Sequence, residues 1–162
     1  MIVIIEGPDG AGKTSLAREL QQRCLLGYHH EGPPPLDKTP QEHYISTLRS
    51  FEGRDVVIDR FALGERVYGP ALRGEDKLGA DGWREFSRET DRMGVIEVIC
   101  LPPIEVCLAN WKASVKDELF EGNDLLFRTY GAFAYFALRE EFRYTIFDYT
   151  RMNVEDLLLL WR

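Results

Sequence analysis

Residues 1–23 read MIVIIEGPDGAGKTSLARELQQR, and the fold follows from how this stretch divides. Ile2-Val3-Ile4-Ile5 is an apolar, β-branched run, the mark of a buried strand. Gly7-Pro8-Asp9-Gly10-Ala11-Gly12-Lys13-Thr14 fills every fixed position of the pattern G-x-x-x-x-G-K-[ST]. Leu16, Ala17 and Leu20 then recur at helical spacing between polar residues, so a helix is expected to open at about Lys13. Strand, glycine loop and helix in this order are the context the motif requires.

The residue types explain what such a loop can hold. Glycines at 7, 10 and 12 let the backbone turn its N–H groups inward with no Cβ in the way, which makes a nest for anions. The helix N-terminus adds partial positive charge at the same place. Lys13 has the reach for β- and γ-phosphates, and the Thr14 hydroxyl can ligate Mg²⁺. Residues Gly7, Asp9, Gly10, Ala11, Gly12, Lys13, Thr14 and Ser15 therefore form a candidate site for a nucleoside triphosphate, with ATP and Mg²⁺ expected.

The totals narrow the partners. A chain of 162 residues is long enough for one domain that buries roughly 70% of its unfolded surface. Its 44% hydrophobic and 29% charged residues are ordinary for a globular protein. No apolar run approaches a membrane span and the chain enters a strand at once, so a cytoplasmic protein is expected. A formal net charge of −7 disfavours a long nucleic acid as partner, because such proteins carry a basic face, and leaves small nucleotides open. Cys24, Cys100 and Cys107 lack metal-ligand spacing and read as reduced packing residues.

Further along, a short second strand is expected within 25–30, stopped by Glu31-Gly32 and Pro33-Pro34-Pro35, which can continue neither strand nor helix. A helix over 40–51 follows, then a third buried strand over 55–59 that ends on a carboxylate. Residues 62–82, punctuated by glycine, read as an ordered substrate loop with a short helix. A helix over 83–93, a fourth strand over 95–101, helices over 104–113 and 125–140, a fifth strand over 144–147 and a closing helix over 154–161 complete the chain. Between these, 110–123 is polar and mixed in charge, a candidate lid. Strands alternating with helices predict an α/β domain of three layers, a five-stranded parallel sheet covered on both faces. Ligands in such sheets sit beyond the carboxyl ends of the strands, which gathers the loop at 7–14, residues 31–35, Asp59-Arg60 and 110–123 along one edge.

Each further candidate has a plain structural rival. Asp59, after Val56-Val57-Ile58, stands where an acidic residue organises Mg²⁺ beside such loops, against a solvated strand end. Arg60 suits bidentate phosphate binding, against a surface ion pair. Asp9 is electrostatically awkward beside phosphates and is expected to face a second substrate, such as a sugar hydroxyl, against a turn former. Glu31 ends the second strand and is a candidate for the same sugar or the metal shell. His29 and His30 point to opposite faces and read as packing or phosphate-proximal residues rather than a metal site. Phe61, Tyr68 and Trp83 have the rings to stack on a base, with Tyr68 the best placed, although aromatics more often pack. Lys112, Lys116 and Arg128 are the cations near the lid, against a solvated face.

Together, GPDGAGKT, Asp59-Arg60-Phe61 and Val67-Tyr68-Gly69-Pro70 resemble the thymidylate kinase family of P-loop nucleoside monophosphate kinases, especially its short phage-encoded members. The resemblance is specific over 2–20 and 55–70 and architectural elsewhere. It implies transfer of the γ-phosphoryl of ATP, with Mg²⁺ and a mobile lid, to a deoxynucleoside monophosphate, a pyrimidine such as dTMP. It also implies that Lys13 and Thr14 hold ATP and Mg²⁺, that Asp9 lies near the acceptor's 3′-hydroxyl, that Arg60 takes its phosphate, and that a homodimer forms. Glu31-Gly32-Pro33 is loosely similar to the family's Arg-Glu-Pro-Gly turn but lacks its arginine. The lid offers lysines where the family supplies arginines. A hydroxyl acceptor, whether a deoxynucleoside or a 5-hydroxymethyluracil nucleotide or DNA, therefore remains an alternative. In that case Asp59 or Glu31 must accept a proton. A nucleotide-binding switch or motor module that is no kinase is the further alternative.

Overall fold

The computed structural model describes residues 1–114, 123–139 and 143–161. Five strands, β1 (Ile2–Glu6), β2 (Gly27–His30), β3 (Val56–Asp59), β4 (Ile96–Cys100) and β5 (Tyr144–Phe147), form one parallel sheet in the order β2-β3-β1-β4-β5. Helices α1 (Lys13–Cys24), α2 (Pro40–Ser50), α3 (Ala62–Arg73), α4 (Gly79–Met93), α5 (Ile104–Ser114), α6 (Asn123–Arg139) and α7 (Val154–Leu159) cover it. The predicted α/β, three-layer organisation is the one observed.

The central strand shows why. All five residues of β1 are buried, and their side chains alternate between two cores. Ile2 and Ile4 join Leu48, Phe86 and Phe133 beneath α2, α3, α4 and α6, while Val3 and Ile5 join Leu16, Leu20 and Leu157 beneath α1 and α7. A strand buried on both faces has no polar side to show, hence the unbroken apolar run Ile2-Val3-Ile4-Ile5 ahead of Glu6 at its end. Elsewhere local chemistry sets the ends. Thr39 and Glu42 form a capping box with Pro40 in the first turn of α2, and Asn153 and Asp156 do the same for α7.

Element boundaries depart from expectation by a residue or two, except in two places. Residues 62–82 are no loop: α3 runs for 12 residues straight through Pro70, and α4 starts at Gly79 rather than 83. Proline in a helix interior costs about 3 kcal/mol. Here the amphipathic face of α3, with Ala62, Leu63 and Val67 buried in the core, offsets that cost. Gly74, in the left-handed region at φ 77°, ends the helix. The second departure is the lid. Residues 110–114 continue α5 and α6 opens at Asn123, so the part of the 110–123 segment that holds Lys116 lies outside the described residues.

Because all the strands run the same way, their carboxyl ends share one edge. Glu6, His30, Asp59 and Cys100 close β1 to β4 there, and the glycine loop leaves from the middle of the row. Among the described residues, no helix is long and apolar enough to cross a membrane.

Candidate active site

Two cavities open along that edge. One, of about 690 Å³, is walled by Gly10, Gly12, Lys13, Thr14, Asn110 and Tyr149. The other, of about 420 Å³, lies beyond β2 and β3 against Glu31, Tyr44, Glu65, Tyr68 and Arg73. Both fall in the size range of small-molecule sites. Arg60 lines both, and so stands between them.

The glycine loop is held from two sides. Gly10 lies at φ 74°, and a Cβ there would stand 2.1 Å from the Cys107 carbonyl oxygen of α5. Only glycine fits so close an approach. Gly12, also left-handed at φ 80°, is the cap residue of α1, with no side-chain hydrogen bond to the helix N-terminus. The first-turn N–H groups of α1 are therefore left for an anion. The Lys13 ammonium is buried and donates to the carbonyls of Gly7 and Pro8, at 2.9 and 2.6 Å. Burial, with the Arg60 guanidinium nearby, lowers its pKa. A buried ammonium coordinated only by carbonyls is poised to exchange them for phosphate oxygens.

Thr14 donates its hydroxyl to Asp59 Oδ2 at 2.6 Å, and Tyr28 donates to the same oxygen at 3.0 Å. His30 Nδ1 lies 3.4 Å from it. Asp59 is fully buried, yet its other oxygen, Oδ1, has no hydrogen-bond partner. An unpartnered buried carboxylate oxygen beside a threonine hydroxyl suits a hard divalent cation that takes most of its ligands from water and phosphate. Among the described residues, no cluster of His, Cys, Asp and Glu suffices to hold a metal by itself.

Three carboxylates, Glu6, Glu31 and Glu65, line the second cavity together with His30, Arg60 and Arg73. Glu31 Oε2 lies 2.9 Å from His29 Nε2 in a hydrogen bond, whereas His43 Nε2, 3.1 Å from Oε1, is not aligned for one and is left without a hydrogen-bond partner. Gly32 N–H also donates to Oε1. Arg73 folds back onto Glu65, over Gly69, where a Cβ would meet the guanidinium at 2.9 Å. Arg60 Nη2 pairs with Asp9 Oδ1 at 3.1 Å. Both guanidinium groups lining this cavity are thus already paired with carboxylates.

The expected residues are distributed as follows. Lys13, Thr14 and Ser15 line the first cavity with Gly10, Ala11 and Gly12, and Asp59 joins through Thr14. Gly7, Glu31, Arg60 and Tyr68 line the second. Asp9 turns away from the glycine nest, as its charge demands, and reaches Arg60. Phe61 borders the second cavity, but its ring is core: it is only 2% exposed and packs edge-on against Tyr44 and tilted against Phe86, with no face left for a base. Trp83 is likewise buried, stacked on Phe86. Tyr68 sits edge-on to Phe133. Lys112 and Arg128 are exposed on α5 and α6.

Four features were not found from sequence. Glu6, Asn110 and Tyr149 reach the site, and the Glu65–Arg73 pair walls the second cavity. Asn110 donates to the Gly10 carbonyl at 2.9 Å and to the Tyr149 hydroxyl at 2.7 Å, while the Tyr149 ring lies over Gly12. Tyr149 follows the fifth strand, and no local motif marks it.

No protein-family model matches the chain, and no curated protein does. Solved structures do. The YorR protein of Bacillus subtilis, solved with phosphorylated GDP, superposes with a TM-score of 0.79 over 99% of this chain and 95% of that one, at 17% identity. A deoxyadenosine kinase from M. mycoides with bound dATP gives 0.63 over 99% and 96%, at 12% identity. A gluconokinase from Sinorhizobium meliloti gives 0.57 over 90% and 81%, at 15% identity. The fold is that of the P-loop kinases.

Proposed function

We propose that this chain is a kinase that transfers the γ-phosphoryl of ATP, with Mg²⁺, to a hydroxyl of a deoxynucleoside-type acceptor. The observation that carries the hydroxyl reading is Glu31. It is a carboxylate on the wall of the second cavity, fixed by His29 at Oε2 and by the Gly32 N–H at Oε1, in a pocket whose two guanidinium groups are both paired with carboxylates. A phosphate acceptor brings about two negative charges and needs free cations, whereas a hydroxyl acceptor needs a base.

ATP binds with its phosphates on the loop and α1 N-terminus, and Lys13 exchanges its carbonyl partners for phosphate oxygens. Thr14 and Asp59 would hold Mg²⁺, which when bound neutralises charge on the phosphate oxygens. The acceptor oxygen attacks the γ-phosphorus, its bond to the β–γ bridging oxygen breaks, and ADP departs. Glu31 takes the proton from the attacking hydroxyl. Arg60, between the cavities, exchanges its solvent-accessible pairing with Asp9 for the phosphoryl group in transit, and Tyr68 and the Glu65–Arg73 pair bound the acceptor.

A second reading keeps the deoxynucleoside monophosphate, a pyrimidine such as dTMP, as acceptor. It is favoured by the Asp59-Arg60-Phe61 resemblance and by Arg60 itself, whose pairing with Asp9 is solvent-accessible and so open to exchange for an acceptor phosphate. An ADP-release assay with ATP and Mg²⁺ against deoxynucleosides, their monophosphates and a hydroxymethyluracil oligonucleotide decides between them. Turnover on nucleosides or the oligonucleotide supports the hydroxyl reading. Turnover on monophosphates alone replaces it with the second, and silence throughout returns the chain to a nucleotide-binding switch or motor.

A further inference from the structure

Arg60 is the residue both cavities share, and its backbone is in an unusual state. It lies at φ 70°, the left-handed region, where a residue with a Cβ costs roughly 1–2 kcal/mol. Besides Arg60, Leu25 is the other non-glycine described residue there, at the end of α1. Such strain persists only where the surroundings hold it.

The surroundings are the last two residues of β1. Ile5 accepts the Arg60 N–H through its carbonyl at 2.9 Å. Glu6, buried at the strand's end, then spends a single carboxylate oxygen on two donors: Oε1 accepts the Phe61 N–H at 2.9 Å and the Gly64 N–H at 3.0 Å. These are the cap residue and the third residue of α3, whose N-terminus has no cap from its own side chains. A cap normally comes from the residue before the helix; here a neighbouring strand delivers it, as a carboxylate set against the positive end of the helix dipole.

We propose that Glu6 is a positioning residue for phosphoryl transfer. By pinning the first turn of α3 it fixes the left-handed turn at Arg60 and so aims the guanidinium between the two cavities. The inference rests on the kinase reading but not on which acceptor is correct. No sequence motif marks Glu6, because one carboxylate between Ile5 and Gly7 looks like an ordinary strand end.

The test compares Glu6→Gln, which keeps an acceptor oxygen, with Glu6→Met, which keeps length and apolar bulk but no acceptor. Both are measured with Arg60→Ala and the Glu6→Met/Arg60→Ala double variant, using ATP with thymidine or dTMP, whichever turns over. Glu6→Gln should stay within about threefold of wild type. Glu6→Met should lose about 30-fold in kcat/KM for the acceptor with the KM for ATP unchanged, and Arg60→Ala about 100-fold, each a loss of transition-state positioning. The double variant should be no worse than Arg60→Ala, because Glu6 acts through Arg60. Fully additive losses, or an ATP KM that rises in step with the acceptor's, would overturn the proposal. A crystal structure of Glu6→Met needs no turnover: Arg60 should leave the left-handed region, and an Arg60 still at positive φ and paired to Asp9 overturns the inference by itself. If wild type transfers phosphate to neither acceptor, the kinase reading fails and the crystal structure alone decides on Glu6.

Discussion

The two cavities are built by different means. The first cavity, the proposed donor side, is made largely of backbone: N–H groups at a helix N-terminus, carbonyls around Lys13, and glycines whose missing side chains let α5 and Tyr149 close in. The second cavity, the proposed acceptor side, is made of side chains braced by other side chains: Glu31 by His29, Arg73 by Glu65, Arg60 by Asp9. A backbone site can be written in eight consecutive residues. A side-chain site draws on β2, α2, β3 and α3, and its parts meet only in space. The donor side should therefore tolerate no change at its few fixed points, while the acceptor side should be tunable.

The largest effect expected is on the donor side. Lys13→Ala removes the buried ammonium beside the nest and should lower kcat by about 10³-fold, in the range seen when one preorganised transition-state donor is lost. Circular dichroism and thermal unfolding should stay close to wild type, because the Lys13 partners are carbonyls that water can replace. Retained turnover would break the contrast at its base. Asp59→Asn, which keeps the bond from Thr14 but halves the acceptor capacity, should cost about 10²-fold and shift the Mg²⁺ dependence to higher concentration, read in a metal titration of the rate.

On the acceptor side, Glu31→Gln should lower kcat about 10²-fold with little change in either KM if the acceptor is a hydroxyl, the usual worth of a general base. An unchanged kcat would hand the pocket to a phosphate acceptor. Glu65→Gln should be milder, about 10-fold in the acceptor's KM with ATP unaffected, and should change the ranking of bases in the panel, since it unpairs Arg73 at the wall.

The same contrast governs what could be read from sequence. The order of strands and helices, the sheet's layers and the glycine loop all rest on local patterns, and the structure has them within a residue or two. Residues 62–82 escaped because Gly64, Gly69 and Pro70 are punctuation to any local reading, while what keeps α3 helical is distant: the core beneath Leu63 and Val67, and Glu6 at its start. Phe61 escaped for the converse reason. Its neighbours in sequence belong to the site, but its ring belongs to the core. His43, on α2, bears on Glu31 across a dozen residues, and no spacing rule joins them.

The smallest expected effect tests the buried carboxylates rather than the chemistry. Burial pushes Glu6 up to about 7, and pushes Glu97, on β4 and paired with Arg143, up to about 7 as well. Their unfolded values lie near 4.3. Between about pH 4.5 and 7 the folded protein therefore holds protons that the unfolded chain has released, so stability is greatest at the acid end of that window and falls as pH rises through it. Each group contributes a slope of at most about 1.4 kcal/mol per pH unit. Denaturant melts at pH 5, 6 and 7 should show the fall, and Glu97→Gln should flatten it while leaving turnover within about twofold, since Glu97 faces Thr90 and Arg143 rather than either cavity. Glu6→Gln should flatten it too. A pH-independent stability in wild type would mean that both carboxylates are ionised in the fold, Glu97 held so by Arg143 and Glu6 by the N-terminus of α3, and would overturn this prediction.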